Sequence, residues 1–348
     1  AIEYCTENMP RVYSSYSDGY NFREMGINAP QELALTLAKA RCYVDKCRER
    51  GLAIDAFAPR LTFCFSAHID FFEEIAKIRA ARRMWARIAR EQYGAQDPRS
   101  LKLRFSVHTA GCSLVSAQPL NNIVRVAYEA MAAALGGAQA MDLCCYDEAV
   151  NIPSEEAGIL SLRTQQILAC ETGITAVADP LGGSYYVEGL TSALEAKTAE
   201  ILAEIDEVGG VVSAIKTGWV DDLIEREALN YHKELEAGER TVVGQNAFLM
   251  EEEAQAPVDY HRTRPESEAE QVANVRRLKR TRNNRLVQET LESLQRRAGA
   301  PEKVNLMPEV IEAVRAYATV GEISGVIRLA HGFRYDPFGE LEAPFGLR

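Results

Sequence analysis

Between residue 11 and about residue 190 the sequence alternates short apolar runs with long amphipathic ones, and this alternation restricts the fold more than any other feature. The strand candidates are Val12–Tyr16, Leu61–Ser66, Leu103–Thr109 and Ala140–Cys144, with a weaker one near Thr175–Ala178. Each of the first four leads into a helix with legible ends. The first helix begins near Pro30 and stops at Gly51, with proline in its opening turn and glycine past its close. The second opens on Asp70 and Glu73, a capping-box variant, and carries Phe71, Ile75, Ile78, Trp85 and Ile88 at helical spacing before Gly94. The third runs from near Pro119 to Gly136 and Gly137, the fourth from Ser154 to Gly173. Strand–helix repeats of this kind predict an α/β fold with parallel strands under covering helices.

A doubly wound sheet and a (β/α)8 TIM barrel both satisfy that order. No G-x-G-x-x-G or Walker A run follows any of the strands, which favours the barrel. Only about half of the eight strands a barrel needs are found, so the others would lie upstream. The chain begins without Met, in what reads as the middle of a helix from Ala1 to Asn8, and is expected to be a fragment or to follow an upstream segment. Beyond Leu190 helical patterns dominate, broken at Val208–Gly210 and at Gly238. The expected division is therefore 1–198 for the barrel part and 199–348 for a helical accessory region, with a polar linker around 251–270. The basic helix after that linker, rich in Arg276, Arg277, Lys279, Arg280 and Arg282, reads as a solvated face beside the acidic Glu251–Glu253 run.

A net charge of −11 argues against a general binder of nucleic acid or anionic membrane, because polyphosphate would be repelled. No stretch approaches the roughly 20 apolar residues of a membrane span, and the acidic opening Ala1-Ile2-Glu3-Tyr4 is not a secretory signal. The cysteines show no C-x-x-C spacing and read as reduced thiols of a cytoplasmic protein.

In a parallel barrel, chemistry sits at the C-terminal strand ends and in the loops after them. That rule picks out Ser17 to Asn21 after the first strand, and Arg60, Thr62 and Ser66 to His68 on the second. It also picks out His108 to Ser113 after the third, with Gln139, Asp142, Cys144, Cys145, Asp147 and Glu148 around the fourth. Each has a plainer alternative. His68 could cap a helix, His108 could be a satisfied core histidine, and Glu148 could serve a helix dipole. Asp142 with Cys144 and Cys145 lacks the spacing of a recognised zinc site. The residues alone therefore give a barrel enzyme with a polar mouth.

Longer strings are more specific. IEYCTENMPR (2–11), FAPRL (57–61), FFEEIAKIRAAR (71–82), TAGCSL (109–114), QPLNNIVR (118–125), YDEA (146–149), RTQQ (163–166), DPLGGSYYVE (179–188) and ATVGE (318–322) occur in an order that resembles the methylmalonyl-CoA mutase family. The resemblance runs nearly end to end. It implies the C-terminal half of an acyl-CoA-binding (β/α)8 barrel followed by a helical region, in the large subunit of an isomerase. In that family the pantetheine arm threads the barrel axis. The barrel mouth meets adenosylcobalamin, which a flavodoxin-like domain presents for a radical 1,2-carbon-skeleton rearrangement.

Carried over by position, the resemblance gives Arg60, Thr62 (a Ser in the family) and Gln139 to the CoA ester and pantetheine arm, and places Tyr20 and Asn21 at the reacting carbons. His108, Thr109, Gly111, Cys144 and Glu148 fall to the adenosylcobalamin side, with Gly111 under the corrin and Glu148 on the ribose. Several positions depart from the pattern. The family's Tyr-His pair is Tyr20-Asn21, its Gln before TAGCSL is His108, and its His-Thr-Asn run is Asp142-Leu143-Cys144, with Ala140 in place of a Ser. An Asn amide can still donate to an oxygen gaining charge but cannot transfer a proton near neutral pH. Two expectations follow: a pocket rebuilt for another acyl-CoA, or a silent family member with a binding or assembly role. No D-x-H-x-x-G run supplies a cobalt ligand, so that ligand is expected on a separate small cobalamin-binding subunit, making the protein a hetero-oligomer.

Overall fold

A computed structural model of the chain describes residues 1–250, 264–301 and 304–347. Its α/β part holds one parallel sheet whose strands pair in chain order: β1 (Ser15–Asp18), β2 (Leu61–Ala67), β3 (Arg104–Thr109) and β4 (Ala140–Asp142). The helices before and between them are α1 (Ile2–Asn8), α2 (Tyr20–Glu24), α3 (Ala29–Glu49), α4 (Ile54–Phe57), α5 (Phe71–Arg87) and α6 (Asn121–Gly136). After β4 come α7 (Glu155–Cys170), α8 (Tyr185–Glu207), α9 (Val211–Lys216) and α10 (Trp219–Glu236). Among the described residues, no helix is long and apolar enough to cross a membrane.

The pleat sorts the sheet into two chemically different faces, because successive side chains point to opposite sides. Register places Ser17 beside Phe63 and Phe105, and Phe65 beside Val107 and Met141, on one face. That face meets the helices. Phe63 packs edge-on to Trp85 of α5 at 5.0 Å, Phe65 packs on Phe105 at 5.9 Å, and all four join one core with Leu33, Leu37, Ile78 and Ala133. The opposite face carries Tyr16, Thr62 and Arg104 in one row, Cys64 and Ser106 in the next, and Ser66, His108 and Asp142 in the last. A parallel sheet with a polar second face differs from the usual parallel sheet buried and apolar on both sides.

Helix starts follow local chemistry. Asn28 and Gln31 close a reciprocal capping box on α3, and Asp70 accepts the Glu73 amide at 3.3 Å to start α5. Ser154 and Ser184 cap α7 and α8. β1 lies later than Val12–Tyr16. Its small Ser17 donates to the Thr36 carbonyl at 2.7 Å and lets α3 come close. The weak fifth strand candidate is instead a single 3-10 turn, Ile174–Ala176. The Ala176 amide donates to the Gly173 carbonyl at 3.0 Å, which closes the turn within that stretch.

The chain divides into two compact units, Arg11–His261 and Arg262–Arg348, with Glu3–Pro10 grouped with the second. The second unit is helical: α11 (Glu266–Thr281), α12 (Asn284–Ala298), α13 (Met307–Arg315) and α14 (Val320–Ala330). Val287, Leu291, Leu294, Ala313 and Val326 form its core. Residues 251–263 of the expected linker lie outside the described residues, and α11 already begins at Glu266 within that stretch. Pro265 and first-turn Glu266 and Glu268 favour a helix start there.

Candidate active site

The polar sheet face has two ends lined by different candidate residues. At the C-terminal end, β1 stops at Asp18, which accepts the Tyr20 amide at 3.0 Å and so begins α2. Gly19 donates to the Cys64 carbonyl at 2.9 Å, and a Cβ there would lie 2.1 Å from Thr36 Oγ1, so only glycine allows this turn against α3. The turn lays the Tyr20 ring 4.6 Å from the His108 ring, and His108 Nε2 stands 3.0 Å from Asp142 Oδ2. Buried Thr109 receives the Cys144 amide on its hydroxyl at 2.8 Å, with Cys144 Sγ 3.1 Å from its carbonyl. Glu148, an exposed residue after β4, accepts the Cys145 amide on Oε1 at 2.6 Å.

Burial, then Glu24, Cys144 and Glu148, drive the Tyr20 hydroxyl far above its ordinary range, so it stays protonated and able to donate. Burial and then Glu148 raise the Cys144 thiol likewise, which keeps it from thiolate chemistry. Beneath Gly111, Glu24 Oε2 accepts the Cys112 amide at 2.9 Å, and a Cβ on Gly111 would lie 2.8 Å from that same oxygen. Burial, then Glu24, push the Cys112 thiol up to about 12. Asn21 turns the other way: its amide donates to the Asp18 carboxylate and ties the residue to the turn.

The expected CoA residues sit at the opposite, N-terminal strand end. Arg60 ends the 3-10 turn before β2 and donates to the Ala56 carbonyl, and Thr62 donates to the Ser15 carbonyl. Gln139 uses both halves of its amide on β3, accepting from Phe105 N and donating to the Leu103 carbonyl, each at 3.0 Å. Tyr20, His108, Thr109, Gly111, Cys144 and Glu148 are thus brought to one end. Arg60, Thr62 and Gln139 are at the other, and Asn21 is beside the first group but bonded away from it.

Sequence reading missed what fixes the working end. β1 ends opposite Cys64, so the Ser66 amide and carbonyl on that side lack a strand partner. Glu32 Oε1 takes the amide at 2.6 Å and Lys77 Nζ donates to the carbonyl at 2.8 Å. Lys77 also pairs with Glu32 at 2.6 Å and Glu74 at 2.5 Å, all three side chains fully buried. Burial alone would drive the ammonium down, and the two carboxylates outweigh it, so the Lys77 pKa rises. Neighbouring His68 is pushed the other way, to about 3, by burial and then by Arg23 and Lys77, and is neutral. The available signal was Glu74 and Lys77 standing inside the apolar stripe of α5.

The sequence model of the methylmalonyl-CoA mutase family matches residues 1–333. The chain belongs to the methylmalonyl-CoA mutase family. It is 41% identical over 322 residues to the 2-hydroxyisobutanoyl-CoA mutase large subunit of Aquincola tertiaricarbonis, covering 92% of this chain and 57% of that protein. It is 40% identical over 333 residues to a methylmalonyl-CoA mutase of Rhizobium meliloti (strain 1021), covering 95% and 46%. With the methylmalonyl-CoA mutase large subunit of Porphyromonas gingivalis (strain ATCC BAA-308 / W83) the identity is 36% over 324 residues, covering 93% and 45%. The chain spans about half the length of these curated relatives.

Proposed function

We propose that this chain is the acyl-CoA-handling part of an adenosylcobalamin-dependent mutase, a cytoplasmic isomerase whose pocket takes an acyl group other than methylmalonyl. It would work with a small cobalamin-binding subunit in a hetero-oligomer. The observation that supports this most is the polar second face of the parallel sheet, with Tyr16, Thr62 and Arg104 in its N-terminal row and Ser66, His108 and Asp142 in its last row, where Tyr20 lies against His108. The sheet then reads as four consecutive strands of a (β/α)8 barrel whose lumen is this face. Its length suits a flexible acyl carrier lying along the strands, with the acyl group at the end where barrel enzymes do chemistry. A relative named for 2-hydroxyisobutanoyl-CoA supports an acyl group other than methylmalonyl on this scaffold.

The residues at the working end fit the cofactor in one respect. The exposed Glu148 carboxylate, with one oxygen on the Cys145 amide, keeps lone pairs for a ribose diol. When bound, adenosylcobalamin would supply the hydrogen-abstracting radical chemistry. The protein's part is to orient and to exclude water. Tyr20, held protonated, walls the acyl group and can donate to it; Thr109 anchors the Cys144 loop; Arg60 offers a guanidinium for CoA phosphate or carbonyl oxygens. The test is electron paramagnetic resonance of the chain with adenosylcobalamin, its cobalamin-binding partner and a panel of acyl-CoAs. A cob(II)alamin–organic radical signal with any member supports the mutase reading. Silence across the panel with intact acyl-CoA binding would leave a binding or assembly role.

A further inference from the structure

Two departures from the family pattern, His108 and Asp142, meet at the C-terminal end of the polar face. Position 21 is an Asn whose amide is committed to Asp18. An imidazole stands at His108, on the polar sheet face, its ring tilted by 37° against Tyr20 at 4.6 Å and its Nε2 3.0 Å from the Asp142 carboxylate. His108 and Asp142 are register partners on adjacent strands, so the sheet itself fixes their separation. The His108 side chain is one-third exposed, on the side away from the helix-covered core.

A carboxylate oxygen this close to Nε2 requires the ring proton on Nε2, because two facing lone pairs would repel. With Nε2 engaged by Asp142, Nδ1 is the ring nitrogen left for a ligand, and an imidazole nitrogen without a proton accepts a hydrogen bond. The same carboxylate, with Asp18 and Glu148 at these strand ends, disfavours a second carboxylate on the acyl chain.

Resting on the acyl-CoA reading above, we propose that Asp142 and His108 form a specificity dyad in which His108 accepts a hydrogen bond from a hydroxyl on the acyl group. The preferred substrates are hydroxyacyl-CoA thioesters and not dicarboxylic ones. His108 touches substrate; Asp142 acts through it and is a positioning residue.

Calorimetric binding to the full chain tests this with butanoyl-CoA, 2-hydroxybutanoyl-CoA, 3-hydroxybutanoyl-CoA and succinyl-CoA. The wild type should bind one hydroxylated thioester about tenfold more tightly than butanoyl-CoA, and succinyl-CoA no more tightly than butanoyl-CoA. His108→Phe keeps a ring against Tyr20 but should erase the hydroxyl preference, read as the ratio of hydroxylated to plain thioester affinity. Asp142→Asn, at an exposed position that tolerates the change, should weaken the preference, and Asp142→Glu should keep most of it. A wild type without hydroxyl preference, one that favours succinyl-CoA, or variants that keep the preference would overturn the dyad and leave the acyl-CoA reading standing. Binding to none of the four thioesters removes that reading, and the dyad with it.

Discussion

Gly111 shows how much one missing Cβ decides. The resemblance assigns it to close approach of a corrin, yet its Cβ direction points at Glu24 Oε2, 2.8 Å away, where that oxygen already holds the Cys112 amide. Gly111→Ala must push the carboxylate aside or break that bond. We expect a loss of about 1–3 kcal/mol, the usual cost of overpacking a tight site, read as a lowered urea midpoint with an unchanged slope. A midpoint at the wild-type value would show that Glu24 moves freely. The TAGCSL string marks this glycine in the sequence, but the contact with Glu24 could not be read there, because Glu24 lies on α2, far away in the chain. The same holds for His108 and Asp142. Each drew notice alone, and only the β3–β4 register makes them neighbours.

Elements were legible where their ends carry side-chain chemistry. Asp70 and Ser154, read as helix starts, each accept an amide there, so composition and geometry agree. Legibility failed where a tertiary partner decides, as at Ser66, whose backbone is satisfied by Glu32 and Lys77 from two different helices. Lys77→Met should therefore cost about 3–5 kcal/mol, because it strands two buried carboxylates and the Ser66 carbonyl; equilibrium denaturation of the sheet-containing unit measures it. A second element-level case is α14. Its capping box joins Thr319 and Glu322, and both oxygens of Glu322 take the Arg282 guanidinium at 2.7 Å. Burial would raise the Glu322 carboxyl, but Arg282 and the Thr319 amide outweigh it and bring it to about 2. The folded value lies below the unfolded one, near 4.3. The stabilisation is therefore complete above the unfolded value and is lost as pH falls toward 2. Amide exchange in α12 and α14 should accelerate in acid relative to Glu322→Gln, whose protection should be lower at neutral pH and flatter with pH. Equal pH slopes in the two proteins would remove Glu322 from this account.

Across the whole sheet, the two ends of the polar face are separated by the run of β2 from Thr62 to Ser66, about 13 Å at strand rise. Groups that far apart with no shared partner should contribute independently to a ligand that spans them. Arg60→Ala should weaken every CoA thioester by a similar factor, about tenfold for a lost charge-assisted contact, without changing the ratio between hydroxylated and plain acyl groups. His108→Phe should change that ratio and leave the common CoA contribution untouched. The double variant should then show the product of the two effects. This separation is what a lumen running along the strands requires. If both residues instead lined one local pocket, their effects would couple, and the double variant would depart from the product. A pronounced departure in the binding cycle would mean that the acyl-CoA does not lie along this face, whatever the family's scaffold suggests.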